Sequence, residues 1–339
     1  MPARLEHRQP RHMEATRTWR ATDAESDTNM KDHTSVRVLT SPSPATGYAL
    51  ALHAGAGGRM KELSPDEQGR YPAGLTEAYL AGEAILAGGG SALDAVCVTV
   101  RHLEDNPLFN SGRGAALTAD GVAELDASVM TGDGRAGAIG ASRHAKNPVL
   151  AARKVMEASA HVFLVGPGVE LVTAWGLEVA EPEYFITAAR QQQLDTVRAN
   201  EAAGTRHGTV GAVAVDVHGR LAAATSTGGM VNQSEGRVGD TPIIGAGNYA
   251  RDGVVAVSCT GDGEAFIQGV VAHEVSARVR YLHTDLADAV SGTITDEVAA
   301  REATGGIIAV GADGSIVVAH NSPAMFAAFR DGAELVTLT

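Results

Sequence analysis

Residues 207–230 read HGTVGAVAVDVHGRLAAATSTGGM, and most of the fold and chemistry can be worked out from that stretch. Two apolar, β-forming runs, 209–216 and 221–227, flank a turn at His218-Gly219, which is the pattern of a buried β-hairpin. The preceding segment, ITAARQQQLDTVRANEAAGTRH (186–207), is polar, carries a glutamine run and leads to Gly208. By composition it reads as a surface linker or a mobile helix. A polar linker therefore ends directly before a buried strand whose first residue, Thr209, bears a hydroxyl.

A hydroxyl is a weak nucleophile at neutral pH unless a base takes its proton. The chain has no G-x-S-x-G turn and no evident Cys/His pairing to supply one. Breaking the bond before Thr209 would give that residue a free α-amine, whose ordinary pKa near ~8 suits it as a base. Thr also begins many strands for no reason beyond β-propensity, so the neighbouring residues have to decide. Gly208 has no side chain to shield its carbonyl from the adjacent hydroxyl. Thr225-Ser-Thr227-Gly-Gly and Cys259-Thr260-Gly-Asp-Gly263 each set hydroxyls at a strand end beside a glycine turn. Such turns expose backbone N–H groups, as an oxyanion hole requires.

Outward from this hairpin, helical and strand patterns alternate. A strand is expected over 48–53, helices over 75–87 and 92–103, and a strand over 122–130. Ser91 is the expected cap of the second helix, with Asp94 at its third position. A helix over 148–158, a strand over 162–165 and a helix from 169 follow. After the hairpin come a strand over 254–259, helices over 264–281 and 286–290, and strands over 306–310, 315–319 and 325–330. Helices beside and between antiparallel strands predict an α+β protein with sheets packed face to face and helices outside. Residues 1–45 mix both charges without apolar periodicity or a hydrophobic signal core. They read as a disordered extension, or as an upstream start with Met13 and Met30 as alternatives.

The bulk numbers set limits. A net charge of −13 provides no basic stripe for nucleic acid, and the longest apolar runs fall short of a membrane span. Cys97 and Cys259 stand apart in apolar runs, the pattern of buried reduced thiols in a cytoplasmic protein rather than of a zinc site. Glycine-rich letters at 55–58 and 111–115 lack the spacing of a dinucleotide fingerprint, and Thr131-Gly-Asp-Gly-Arg135 is a hairpin turn too short for a calcium loop. His144, His161, His273 and His320 form no metal-binding pattern.

Seven blocks in order carry a resemblance: LHAGAGG (52–58), LEDNPLFNSGRGA (103–115), ELDASVM (124–130), GTVGAVAVD (208–216), ATSTGGM (224–230), GRVGDTPIIGAGNYA (236–250) and SCTGDGE (258–264). From about residue 50 to its end the chain resembles the plant-type L-asparaginase and isoaspartyl peptidase family of N-terminal nucleophile hydrolases. The resemblance implies a four-layer αββα sandwich, cut between Gly208 and Thr209 into an α subunit (46–208, linker about 186–208) and a β subunit (209–339). It also implies a dimer of such αβ pairs, with asparagine or a β-aspartyl (isoaspartyl) dipeptide as the small-molecule substrate.

Carried over by position, Thr209 would be the nucleophile and Thr227 its hydrogen-bond partner. Thr260 and the N–H of Gly261 would hold the oxyanion. Arg237, Val238, Gly239 and Asp240 would form the substrate loop, a guanidinium fork for the α-carboxylate and a carboxylate for the α-ammonium. Gly263 would add an ammonium contact, with Asp262 beside it, and Asn110 would lie near the scissile bond. The resemblance implies no catalytic cofactor. It does imply a structural sodium ion held by the backbone carbonyls of Leu103, Glu104, Asn106, Phe109, Ser111 and Arg113. Departures are Ala54 in the first block, where glycine is commoner, and Asp262, which resembles the glycosylasparaginase branch and puts the substrate preference in question. A glycosylasparaginase and an uncleaved binding homologue are the alternative readings.

Overall fold

Every residue of the strands Val210–Val215 and Leu221–Thr227 is buried, because small and β-branched side chains on both faces leave neither face fit for water. They pair antiparallel at the centre of a mixed sheet. The computed structural model describes residues 17–19, 34–57, 65–200 and 208–339.

Among the described residues this sheet has nine strands. Their spatial order is Arg17–Trp19, Glu334–Leu338, Met325–Asp331, Ala49–Ala56, Val210–Val215, Leu221–Thr227, Leu125–Thr131, Ala136–Ser142 and Phe163–Val165. A second sheet, of five described strands, runs Arg37–Ser41, Ile316–His320, Gly305–Gly311, Val255–Gly261 and Asn248–Arg251.

The two-residue period of the strands sorts their side chains into separate apolar clusters. Leu50, Leu52, Ala212, Ala214, Ala222 and Ala224 face Leu75, Leu86, Val96, Val100, Val149 and Val155, which belong to the helices Pro65–Ala87, Ala92–Asp105 and Pro148–Ala158. The alternate residues Ala51, Val213, Val215 and Ala223 pack with Ala256, Ile308, Val310 and Val318 of the second sheet. That sheet's other face, Val257, Cys259, Ile307 and Ala309, buries Phe266, Val271, Val275 and Val290 from the helices Gly263–Gly269, Val271–Leu282 and Leu286–Thr293. The chain is thus a mixed α+β protein. The dominance of Ala and Gly lets its layers approach closely, which suits the scarcity of aromatics.

Several expectations are corrected here. Residues 37–41, expected within a disordered extension, form a strand paired antiparallel with Ile316–His320, and residues 17–19 pair with Glu334–Leu338. Strand pairing there rests on backbone groups and needs no apolar periodicity, so the sequence pattern did not signal it. The rest of the extension, residues 1–16 and 20–33, lies outside the described residues. Of the two readings of 186–207, linker or helix, the described part is a helix, Ala188–Ala199, capped by Thr187 and pinned by the buried Leu194, while 201–207 lie outside the described residues. The single helix expected over 264–281 is two, because Val270 adopts a left-handed backbone (φ 47°) between Gly263–Gly269 and Val271–Leu282. The strand expected to stop at Cys259 includes Thr260 and Gly261. Among the described residues no helix is long and apolar enough to cross a membrane.

Candidate active site

Thr209 sits where the first strand of the central hairpin emerges, only 6% exposed, and Thr227 closes the second strand beside it. The hairpin register pairs Val210 with Ser226, so the hydroxyls of Thr209 and Thr227 meet, 3.2 Å apart, with Thr209 donating. Thr227 Oγ1 also accepts from the N–H of Gly229 (3.1 Å) and donates to the carbonyl of Gly208 (3.1 Å). These three bonds use one hydroxyl as donor once and acceptor twice, its full capacity. The Thr209 proton is therefore turned toward Thr227, which leaves the lone pairs of the Thr209 oxygen free.

Asn110 holds the same Gly208 carbonyl from another side. Its Nδ2 donates to Gly208 O (2.6 Å) and Gly229 O (2.7 Å), and its Oδ1 accepts from the N–H of Ala116 (2.6 Å). Those partners fix which way the amide points. Gly208 is packed so closely that a Cβ there would lie 3.0 Å from that of Asn110, and a Cβ on Gly55 would lie 3.0 Å from the Cα of Gly208. Gly55 has φ 117°, so this turn of the LHAGAGG block needs glycine for backbone conformation as well as for space. If the Gly208 carbonyl is the bond under attack, Asn110→Ala should slow its cleavage by roughly 100-fold, the usual effect of losing one oxyanion donor. Timed intact-mass spectra check this; conversion at the wild-type rate would remove Asn110 from that role.

The pocket above this bond is lined by Gly208, Thr209, Thr227, Gly229, Met230, Arg237, Gly239, Asp240, Thr241 and Gly261. The structure therefore gathers Thr209, Thr227, Arg237, Gly239, Asp240 and Gly261 from distant blocks into one cavity. Thr260 lies one residue before Gly261, fully buried, and its hydroxyl has no hydrogen-bond partner among the described residues. Val238 turns away from the pocket, 3.4 Å from where a Cβ of Gly140 would stand. Gly263 lies where a Cβ would come 2.9 Å from Asp240 Oδ1 and 3.0 Å from Arg237 Nη2, so only glycine leaves those groups their place. Asp262 differs from its expected position near the substrate. Its carboxylate accepts from the N–H of Thr304 (2.6 Å) and is absent from the pocket wall, because the strand end turns it toward the neighbouring loop.

Three features of the site escaped the sequence reading. Arg237 forms a two-pronged pair with Glu264, Nε to Oε1 at 3.0 Å and Nη2 to Oε2 at 2.9 Å. Its proximity follows from the loop and the helix Gly263–Gly269 meeting in space, which no local pattern reveals. His53 bonds the carbonyl of Thr209 through Nδ1 (2.8 Å) and Ser258 Oγ through Nε2 (2.8 Å). A carbonyl only accepts, so Nδ1 carries the proton and Nε2 accepts from Ser258. Full burial pushes the imidazole pKa down to about 3, partly offset by the bond to Thr209, so His53 is neutral. Lastly, buried carboxylates at Glu124 and Asp126 stand behind the Arg237 loop. Alternating polar residues within the apolar ELDASVM block were their available signal.

In the 103–113 turn two glycines lie against backbone oxygens. A Cβ at Gly112 would overlap the carbonyl of Glu104, and one at Gly114 those of Phe109 and Pro107. The carbonyls of Leu103, Asn106, Phe109 and Ser111 each accept a backbone N–H within this turn; backbone oxygens are the donor type a hard monovalent cation would take. Among the described residues no group of three or more His, Cys, Asp or Glu is placed to hold a metal. Cys97 and Cys259 are buried free thiols, and burial pushes Cys97 up to about 12, which suits neither for nucleophilic work.

Residues 46–339 match the family model described as asparaginase. The chain is 44% identical over 294 residues to an isoaspartyl peptidase of Salmonella typhimurium, covering 83% of this chain and 94% of that one. It is 43% identical over 294 residues to the Escherichia coli isoaspartyl peptidase, covering 83% and 92%. It is 38% identical over 293 residues to the human isoaspartyl peptidase/L-asparaginase, covering 84% and 93%. With the hydroxyl pair, the held carbonyl and the Arg–Asp loop in one pocket, and a family match over residues 46–339, this chain belongs to the asparaginase family.

Proposed function

We propose that this chain is an autocleaving threonine amidohydrolase that hydrolyses isoaspartyl dipeptides and L-asparagine, releasing L-aspartate. The observation that carries the proposal is the Thr209–Thr227 hydroxyl pair set against the doubly held carbonyl of Gly208. The names of its relatives support the substrate class.

Maturation begins when Thr209 Oγ1 attacks the Gly208 carbonyl carbon. Its proton passes to Thr227, whose own proton moves to the Gly208 oxygen, with Asn110 sharing the developing charge. On collapse the proton on the Gly208 oxygen passes to the Thr209 nitrogen as the C–N bond breaks; the carbonyl re-forms as an ester of Gly208 on Thr209 Oγ1, and the nitrogen is left as a free amine. Water then hydrolyses the ester. Residues 1–208 and 209–339 become the α and β subunits, 46–208 being the α part of the shared domain, and the three apolar clusters support a four-layer αββα sandwich of the N-terminal nucleophile type shared between them. A dimer of αβ pairs in the cytoplasm is the assembly that goes with this reading.

In turnover the freed amine takes the Thr209 proton as the oxygen attacks the side-chain carbonyl of the substrate. The Thr260 hydroxyl and the Gly261 N–H receive the oxyanion. The ammonium so formed returns the proton to the leaving nitrogen, ammonia or the amino acid departs, and water, giving its proton to the same amine, cleaves the β-aspartyl ester. Arg237 takes the α-carboxylate on the guanidinium edge that Glu264 leaves open, while Asp240 and the Gly263 carbonyl receive the ammonium. The carbonyls of Leu103, Glu104, Asn106, Phe109, Ser111 and Arg113 would hold a sodium ion that stiffens the turn carrying Asn110. The Asp262 carboxylate is bonded to the N–H of Thr304 and is assigned no direct substrate contact.

Aspartate release from β-Asp-Leu, asparagine and a glycosylated asparagine tests this directly. The expected order places the first two well above the third; a preference for the glycosylated substrate would overturn the assignment.

A further inference from the structure

We infer that Asp126, with Glu124 and Ser128 beside it, is a positioning residue that sets the geometry of the substrate loop 236–241. The inference rests on the proposed recognition roles of Arg237 and Asp240. Residues two apart along a strand share a face, and here each of the three is buried and bonded to that one loop. Glu124 Oε2 accepts from the N–H of Gly236 (2.9 Å), Asp126 accepts from the N–H of Gly239, and Ser128 Oγ donates to the carbonyl of Thr241 (2.6 Å). The tied positions, 236, 239 and 241, bracket both Arg237 and Asp240.

The strand itself is shaped for this work. Leu125 pairs with Ser142 and Ala127 with Ile139, so Asp126 alone opposes both Gly140 and Ala141. Such a bulge re-aims side chains, and bulges are enriched next to active sites. Ala141 takes φ 49°, rare for a residue with a Cβ, and its N–H donates to Asp126 Oδ1 at 2.8 Å. On its other flank Asp126 pairs with Thr227 across the neighbouring strand. The Asp126 carboxylate therefore joins the bulge to the loop that carries Arg237 and Asp240, while its backbone is paired with the strand that ends at Thr227. The loop is clamped at its start as well, since Arg143 bridges Glu124 (2.6 Å) and Glu235 (2.7 Å).

A carboxylate held this deeply is costly to bury; burial pushes the Asp126 pKa up to about 7, against the opposing pull of the Ala141 and Gly239 N–H groups and Arg237. Packing alone would be served by an apolar residue. A carboxylate can accept two backbone N–H groups from separate segments at once, whereas asparagine at the same place accepts through one oxygen and turns an NH₂ toward the other donor.

The test compares purified Asp126→Asn, Ser128→Ala and Arg237→Ala with wild type, using L-asparagine. A displaced recognition loop weakens binding without touching the nucleophile. Asp126→Asn should therefore raise KM by about 10-fold or more with kcat within about 3-fold, and Ser128→Ala should move KM the same way by a smaller factor. Fragment masses should match wild type. A raised KM in Arg237→Ala with unchanged KM in both strand variants overturns this inference alone. An unchanged KM in Arg237→Ala overturns the recognition reading beneath it. A fall confined to kcat in Asp126→Asn also overturns it, and if that variant does not fold, Ser128→Ala decides by the same criterion.

Discussion

Thr209→Ala is expected to remain a single chain of full mass on prolonged incubation and to lose about 10⁴-fold or more of its turnover. The two losses share one cause. The hydroxyl that would attack Gly208 is the hydroxyl that would attack the substrate, and without cleavage the α-amine never forms. Groups that act as a unit are not additive, so adding a second change at Thr227 should cost little more. Thr209→Ser separates the two parts, because it keeps the oxygen and removes only the methyl group. It should still cleave, more slowly, since the methyl no longer restricts χ1 in a buried site. Intact-mass analysis beside an aspartate-release assay reads both steps. Two fragments meeting at Gly208 and Thr209 in the alanine variant would sink the nucleophile assignment.

Thr260→Ala should leave maturation and thermal stability near wild type and lower kcat by about 100-fold or more. The prediction follows from an imbalance in the free protein: the Thr260 side chain is fully buried and its hydroxyl has no partner among the described residues. Leaving a buried hydroxyl unpaired costs about 1–3 kcal/mol, so deleting it gives up no bond that stabilises the fold. A group kept at such a cost next to Gly261, which does line the pocket, is explained if its partner is the charge that develops on the substrate oxygen. The informative result is the combination, an unchanged melting temperature with a reduced kcat and a nearly constant KM. Normal turnover would remove Thr260 from the oxyanion site. A large loss of stability would show instead that its methyl group serves the apolar cluster around Cys259 and Phe266.

Much of this was legible in the chain itself. The runs GTVGAVAVD and LAAATST are apolar on both parities, so they had to be central strands, and the His218-Gly219 turn had to make them neighbours. Antiparallel pairing then places Thr227 opposite the start of the first strand, and Thr209 next to it, before any coordinate is known. Helix Pro148–Ala158 and the Ser91 cap were readable for the same reason, since periodicity and capping are local properties. The pairing of residues 37–41 was not, because it requires a partner, Ile316–His320, remote in sequence.

By itself the sequence determined the α+β class and the hairpin that carries Thr209 and Thr227, because both rest on side-chain type and short-range periodicity; the roles expected of Arg237, Asp240, Thr260 and Asn110 came from the family resemblance. Only the tertiary structure decided which of those residues meet. It turned Asp262 onto Thr304, paired Arg237 with Glu264, brought His53 beneath the Thr209 carbonyl, and set Glu124, Asp126 and Ser128 against the substrate loop. The physical reason is that a hydrogen bond forms only when donor and acceptor come within about 3 Å in good alignment, and between residues a hundred positions apart that approach is set by how the sheets pack rather than by any feature of the intervening chain.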